Sequence, residues 1–82
     1  MSYGLLILPD AARQLAALPF DLYTQVRDRI RTLAVDPVPP ESRRIEGRNG
    51  WRLQIGDFRV IYEVERPAAR VTVLDVSRRS DV

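Results

Sequence analysis

Thirteen of the 82 residues are basic, all thirteen are arginine, and the chain has neither histidine nor cysteine. That inventory narrows the available chemistry at once. Without histidine the usual general base and the commonest metal ligand are both missing. Without cysteine there are no disulfides and no thiolate metal sites. What remains is positive charge that cannot be titrated away, because guanidinium stays protonated and binds phosphate oxygens through a bidentate fork. A genome-wide preference for Arg over Lys would give the same composition. The two readings are separated only by where the arginines fall on the fold.

The informative arginines lie in W-R-L-Q-I-G-D-F-R-V-I-Y-E-V, residues 51–64. Gly56-Asp57 is a dipeptide suited to a two-residue hairpin turn. Taking it as the loop pairs Ile55 with Phe58, Gln54 with Arg59, Leu53 with Val60, Arg52 with Ile61 and Trp51 with Tyr62. Side chains alternate between faces, so Trp51, Leu53, Ile55, Phe58, Val60, Tyr62 and Val64 form an apolar face that reads as core. Arg52, Gln54, Arg59, Ile61 and Glu63 share the other face. Arg52 and Arg59 are then diagonal neighbours, close enough to grip one anion.

The elements around this hairpin follow in order. Residues 3–8 fit a short buried strand, closed by Pro9 and by Asp10, a good N-cap for a helix starting at Ala11. Ala11, Leu15 and Leu18 make one stripe on that helix. Pro19 interrupts it, and a second helix runs from about Asp21 to Ala34 with Leu22, Val26, Ile30 and Leu33 on one face. Three prolines within residues 36–40 stop it, giving an antiparallel helical hairpin. Residues 41–50 form a polar, glycine-punctuated loop in which Arg43, Arg44 and Arg48 cluster, a candidate for steering a nucleic-acid backbone.

Beyond the hairpin, Arg66 to Ala69 read as a four-residue turn before a last strand. Pairing Glu65 with Arg70 and continuing without interruption puts Thr72, Leu74, Val76 and Arg78 on the Arg52/Arg59 face, and Val71 and Val73 in the core. A turn of odd length would exchange Arg78 for Arg79. Leu74, Val76 and Ile61 would form an apolar patch opposite the helices, the kind of surface a partner protein covers.

Length and composition set the outer bounds. Eighty-two residues with 45% hydrophobic content make one domain, residues 1–82, and argue against disorder. No apolar run approaches the roughly eighteen residues of a membrane span, and no signal peptide is visible. The default location is the cytoplasm.

The order strand, helix, helix, three strands resembles the RelE/ParE toxin superfamily of toxin–antitoxin systems. "L-P" separates the helices, "D-P" ends the second, "I-E-G" precedes the hairpin, and "V-S-R-R-S-D-V" closes the chain. The hairpin itself, W-R-L-Q-I-G-D-F-R-V-I-Y, carries the resemblance. It covers essentially the whole sequence and points more to the RelE branch, which cleaves messenger RNA in the ribosomal A site, than to the gyrase-inhibiting ParE branch.

The resemblance implies an α+β fold, β-α-α-β-β-β, with a twisted antiparallel sheet and both helices on one face. It implies a metal- and cofactor-free endoribonuclease in which the ribose 2′-hydroxyl attacks the adjacent phosphate. Arg52, Arg59 and Arg78 correspond to the family's catalytic cations, with Arg79 the alternative at the C-terminal position. Arg43, Arg44, Arg48, Gln54 and Arg79 are the candidate substrate-binding residues.

The implied partners are a cognate antitoxin, mRNA in the A site, and operator DNA through the antitoxin alone. A gyrase inhibitor and a catalytically weakened antitoxin-binding module are the alternatives.

Three departures from the family stand out. Gln54 occupies the place of a second catalytic Lys, Ser77 lies where His is often found, and the tyrosine that usually follows "D-V" does not appear before Val82. The base is open, with Glu63, Asp57 and Glu41 as carboxylate candidates.

Overall fold

In the computed structural model, which describes residues 2–46 and 49–79, the chain runs β1 (Gly4–Ile7), α1 (Pro9–Ala16), α2 (Phe20–Thr32), β2 (Arg43–Arg44), β3 (Gly50–Ile55), β4 (Phe58–Glu65) and β5 (Arg70–Arg78). One five-stranded sheet has the order β1-β5-β4-β3-β2. Side chains from both helices join those of β3, β4 and β5 in a single core. The helical stripes are those expected from periodicity: Ala11 and Leu15 on α1, and Val26 and Ile30 on α2 with Leu33 just after it, are buried, while Leu18 and Leu22 pack at the margin.

The β3–β4 hairpin forms in the register that the Gly56-Asp57 turn dictates, from Ile55 opposite Phe58 to Trp51 opposite Tyr62. Gly56 has φ +59, a left-handed conformation that a residue without Cβ adopts without penalty. Leu53, Ile55, Phe58, Val60, Tyr62 and Val64 are all buried on the helix side, and Trp51 is half-buried against them. Fully burying each Val, Leu, Ile or Phe is worth roughly 1.5–3 kcal/mol, so this row is the main cohesive element of the molecule.

Local chemistry moved several boundaries. Helix α1 begins at Pro9, with Leu8 rather than Asp10 at the N-cap. Proline suits the first helical position, since its fixed φ matches and its missing N–H would be unpaired there anyway. Asp10 instead sits in the first turn and pairs with Arg13.

Strand β1 is not buried as its composition suggests. It is a sheet edge with Leu5 36% and Leu6 44% exposed, and it pairs with β5 in parallel, Gly4 with Arg70 through Ile7 with Val73. The hairpins fix strand directions only among β3, β4 and β5, and the direction of β1 depends on where the helices return the chain. The polar loop before β3 also contributes a short strand, β2, paired Arg43 with Arg52 and Arg44 with Trp51.

The largest departure lies in β5. Glu65 pairs with Arg70 as expected, but the ladder shifts between Tyr62, opposite Val73, and Ile61, opposite Asp75. Leu74 is the extra residue of a β-bulge, which leaves one residue out of the ladder and reverses the facing of everything beyond it. Val76 therefore sits opposite Val60 in the core, 3% exposed, rather than in a patch with Ile61 and Leu74. No helix among the described residues is long and apolar enough to cross a membrane.

Tyr62 ties the sheet to the proline-rich segment after α2. It is fully buried, and its hydroxyl donates to the Pro37 carbonyl at 2.8 Å. Tyr62→Phe removes that donor and should lower unfolding free energy by about 1–3 kcal/mol in urea titrations. Burial also raises the phenol above its usual value. Because the unfolded phenol ionises near about pH 10 and the folded one higher, Tyr62 supports the fold fully below about pH 10. Its contribution is then lost as pH climbs through the folded value. The phenylalanine variant should show a shallower alkaline loss of stability.

Candidate functional site

The face of the sheet turned away from the helices collects cations at its hairpin end. Arg52, exposed on β3, stands directly opposite Arg43 of β2. Directly opposed residues on one face have Cβ atoms about 4.5–5.5 Å apart, and like charges placed so destabilise the sheet. Arg59 of β4 faces Gln54, so it is the diagonal neighbour of Arg52, roughly 7–8 Å away. The Gln54 amide donates to the Gly56 carbonyl at 3.1 Å, which holds it along the turn.

Among the described residues, Arg52 and Arg59 have no hydrogen bond or ion pair, and the Arg43 guanidinium reaches only the Pro40 and Ser42 carbonyls at 3.5 and 3.3 Å. Among the described residues the ion-paired arginines lie elsewhere: Arg13 with Asp10, Arg27 with Asp28, Arg29 with Glu41 and Arg70 with Glu65.

The bulge corrects the third member of the expected triad. Arg78 is paired with Phe58, a core-facing residue, and its guanidinium lies 5.1 Å from the centre of the Phe58 ring. It is therefore on the helix side of the sheet, not with Arg52 and Arg59. Ser77 takes the position across from Arg59 instead. Arg79 follows the last residue of β5, and its amide donates to the Asp57 carbonyl at 2.8 Å, which holds position 79 against the hairpin turn. A four-residue turn with a bulge thus has the effect on register expected of an odd-length turn.

The loop arginines divide. Arg43 joins the open face, whereas Arg44 is opposite Trp51, its guanidinium 5.9 Å from the ring centre, on the helix side. Arg48 lies outside the described residues. Of the carboxylates considered as a base, Glu41 is engaged by Arg29. Glu63 is on the open face but opposes Gly50 and Thr72 at the far end from the turn. Asp57 sits in the turn itself.

One group escaped the sequence reading. The Asp75 carboxylate accepts from Gln14 Nε2 at 2.9 Å and from Ser77 Oγ at 2.8 Å, and Ser77 is the residue paired with Arg59. Its signal was present, since Asp75 interrupts an otherwise apolar V-T-V-L-D-V strand, but its facing depends on the bulge.

This is an open surface and not a cavity. A hollow of about 530 Å³ does exist, lined by residues that include Arg44, Trp51, Val64, Arg66 and Pro67, but Arg52, Arg59 and Arg79 take no part in it. A row of guanidiniums on an exposed sheet, without ionic partners among the described residues, suits a polyanion that lies across it better than a small enclosed ligand.

Comparison with known proteins bears on the fold and the family. The fold is similar to the RelE of an archaeal RelE–RelB complex from Pyrococcus horikoshii, with 26% identity, a TM-score of 0.84 and full coverage of both chains. It is also similar to a chain of the RelBE2 toxin–antitoxin complex of Mycobacterium tuberculosis, with 22% identity, TM-score 0.83, and coverage of 96% of this chain and 100% of that one. A free Escherichia coli RelE variant gives 16% identity and TM-score 0.84, over 99% of this chain and 87% of that one. None of the curated proteins compared matches the chain in sequence. Residues 5–82 match the family described as the ParE toxin of type II toxin–antitoxin systems, parDE. The chain belongs to that family, a toxin of the RelE/ParE superfamily.

Proposed function

We propose that this toxin is a ribosome-dependent endoribonuclease that cuts messenger RNA in the cytoplasm and is held inactive by a cognate antitoxin. The observation that carries the reading is the open face bearing Arg52 and Arg59 without ionic partners among the described residues, with Arg43 directly opposite Arg52. Cleavage by 2′-hydroxyl attack develops negative charge on the scissile phosphate. Preorganised donors at such a charge are each typically worth about 2.7–4 kcal/mol. Arg52 and Arg59 span one phosphate diagonally, Arg79 approaches from the C-terminal side of β5, and Arg43 extends the cationic track toward the neighbouring nucleotide. Arginine is a poor proton acceptor, so these residues hold and neutralise while the ribosome supplies substrate geometry.

The antitoxin reading is supported by the similar RelE chains solved in complex with RelB. An acidic segment laid over the same arginines would silence the site by occupying it, and any contact with operator DNA would run through the antitoxin. Gyrase inhibition is the second reading, favoured by the ParE description of the matching family.

Three outcomes test the proposal. Inorganic phosphate should raise the melting temperature of the wild type at low salt and should do so less for Arg52→Gln/Arg59→Gln. Without phosphate, Arg43→Gln should gain roughly 0.2–1 kcal/mol by relieving the opposed charges, read by urea unfolding. Primer extension on translated mRNA should show A-site cuts that Arg59→Ala reduces by about 10²–10³-fold, with the melting temperature retained. Absence of cuts by the wild type, together with trapped gyrase–DNA complexes, would decide for the gyrase reading.

A further inference from the structure

Among the described residues no carboxylate of β3 or β4 stands next to Arg59, and the bulge in β5 ties one to Ser77, the residue paired with Arg59. Leu74 is the extra residue there, and Asp75, paired with Ile61, stands two residues before Ser77, paired with Arg59. The Asp75 carboxylate is held at both oxygens: Gln14 Nε2 donates to Oδ1 at 2.9 Å, and Ser77 Oγ donates to Oδ2 at 2.8 Å. Gln14 is itself fixed, because its Oε1 accepts the Val76 amide at 2.8 Å. Helix α1 thereby clamps the carboxylate. The carboxylate in turn commits the Ser77 proton, which leaves the lone pairs of Ser77 Oγ free to accept from an incoming donor.

Ser77 and Arg59 are directly paired, so their Cβ atoms are about 4.5–5.5 Å apart. A phosphodiester gripped by Arg59 brings its ribose hydroxyl to the serine. Other carboxylates are worse placed. Glu41 and Glu65 are tied to Arg29 and Arg70. Glu63 lies four residues along β4 from Arg59, roughly 13 Å at the usual strand rise.

We propose that Asp75, acting through the Ser77 hydroxyl, takes the proton from the attacking ribose 2′-hydroxyl. This rests on the endoribonuclease reading. As the O2′–P bond forms, the 2′ proton passes to Ser77 Oγ and the serine proton passes to Asp75 Oδ2. The P–O5′ bond breaks to leave a 2′,3′-cyclic phosphate, and the departing 5′ oxygen takes a proton from water. Asp75 returns its proton to the hydroxide so formed, and the site is restored. Ser77 is the group that touches substrate, and Asp75 and Gln14 position and activate it, an arrangement analogous to a nucleophile, base and orienting group in series.

The test is single-turnover cleavage of mRNA on programmed ribosomes by wild type, Asp75→Asn, Ser77→Ala and Ser77→Thr. Asparagine keeps the size of Asp75 and an acceptor for Gln14 but loses the charge. The expected result is a fall in kcat of about 10²-fold or more for Asp75→Asn and for Ser77→Ala. KM should stay within about twofold, antitoxin affinity and melting temperature should not change, and Ser77→Thr should recover most of the rate. Should Asp75→Asn not fold, the Ser77 pair carries the test alone, since alanine leaves the Gln14–Asp75 contact in place.

Wild-type rates in folded Asp75→Asn or in Ser77→Ala would overturn the proposal. So would a loss confined to KM or accompanied by a fallen melting temperature, which marks a purely structural network. Loss of rate in Asp57→Asn with Asp75→Asn unaffected would move the role to the turn. A wild type that cuts nothing would fail the endoribonuclease reading, and this proposal with it.

Discussion

A single extra residue in β5 settles which side of the sheet each C-terminal arginine occupies. Up to Val73 the strand alternates in phase with β4, core residue against core residue. Past Leu74 the phase is reversed, so Val76 enters the core, Arg78 follows it to the Phe58 ring, and Ser77 comes to the open face, with Arg79 held at the hairpin turn by its amide. The bulge needs support, because β1 ends at Ile7 opposite Val73 and leaves the outer edge of β5 bare beyond it. Gln14 supplies that support by accepting the Val76 amide. A buried polar backbone group left unpaired would cost about 1–3 kcal/mol, so the side chain from α1 and the bulge are one structural unit.

The two faces of the sheet then do opposite things with similar residues. On the helix side arginines are quenched by rings, Arg44 over Trp51 and Arg78 over Phe58, where cation–π contact and stem packing suit them. On the open face arginines are set against each other, with Arg43 directly opposing Arg52. The fold tolerates that repulsion because the apolar row from Leu53 to Val64 beneath it is buried and worth far more. Arg52 and Arg59 have no ionic partner among the described residues, so an anion meets them there without first breaking an ion pair.

How much of this was legible depended on whether the determining interaction was local. The Gly56-Asp57 turn fixes its own register from two residues, so the core row and the shared face of Arg52 and Arg59 could be read directly from the sequence. The helical stripes were equally legible from periodicity. The resemblance to RelE/ParE toxins supplied the α+β architecture, although β1 lies parallel to β5 at an exposed edge and a short β2 adds a strand.

The facing of Arg78 was not legible. It depends on a bulge whose support comes from Gln14, more than sixty residues away in sequence. The same cause hid Asp75, a charged residue in an apolar strand whose partner lies on a distant helix. Arg44 was misplaced with Arg43 because nothing in a polar loop announces a two-residue strand that sends neighbours to opposite faces.

The central claim is that Arg52, Arg59 and Arg79 share the surface that meets RNA, while Arg78 does not. The most direct measurement is a titration of the purified toxin with a short RNA carrying a 2′-deoxy nucleotide at the scissile position, followed through the side-chain Nε–H resonances of individually assigned arginines. The account predicts saturable shifts at Arg52, Arg59 and Arg79 with Arg78 unmoved. Shifts at Arg78 with Arg52 and Arg59 silent, or a response confined to Arg44 and Arg66, would contradict it.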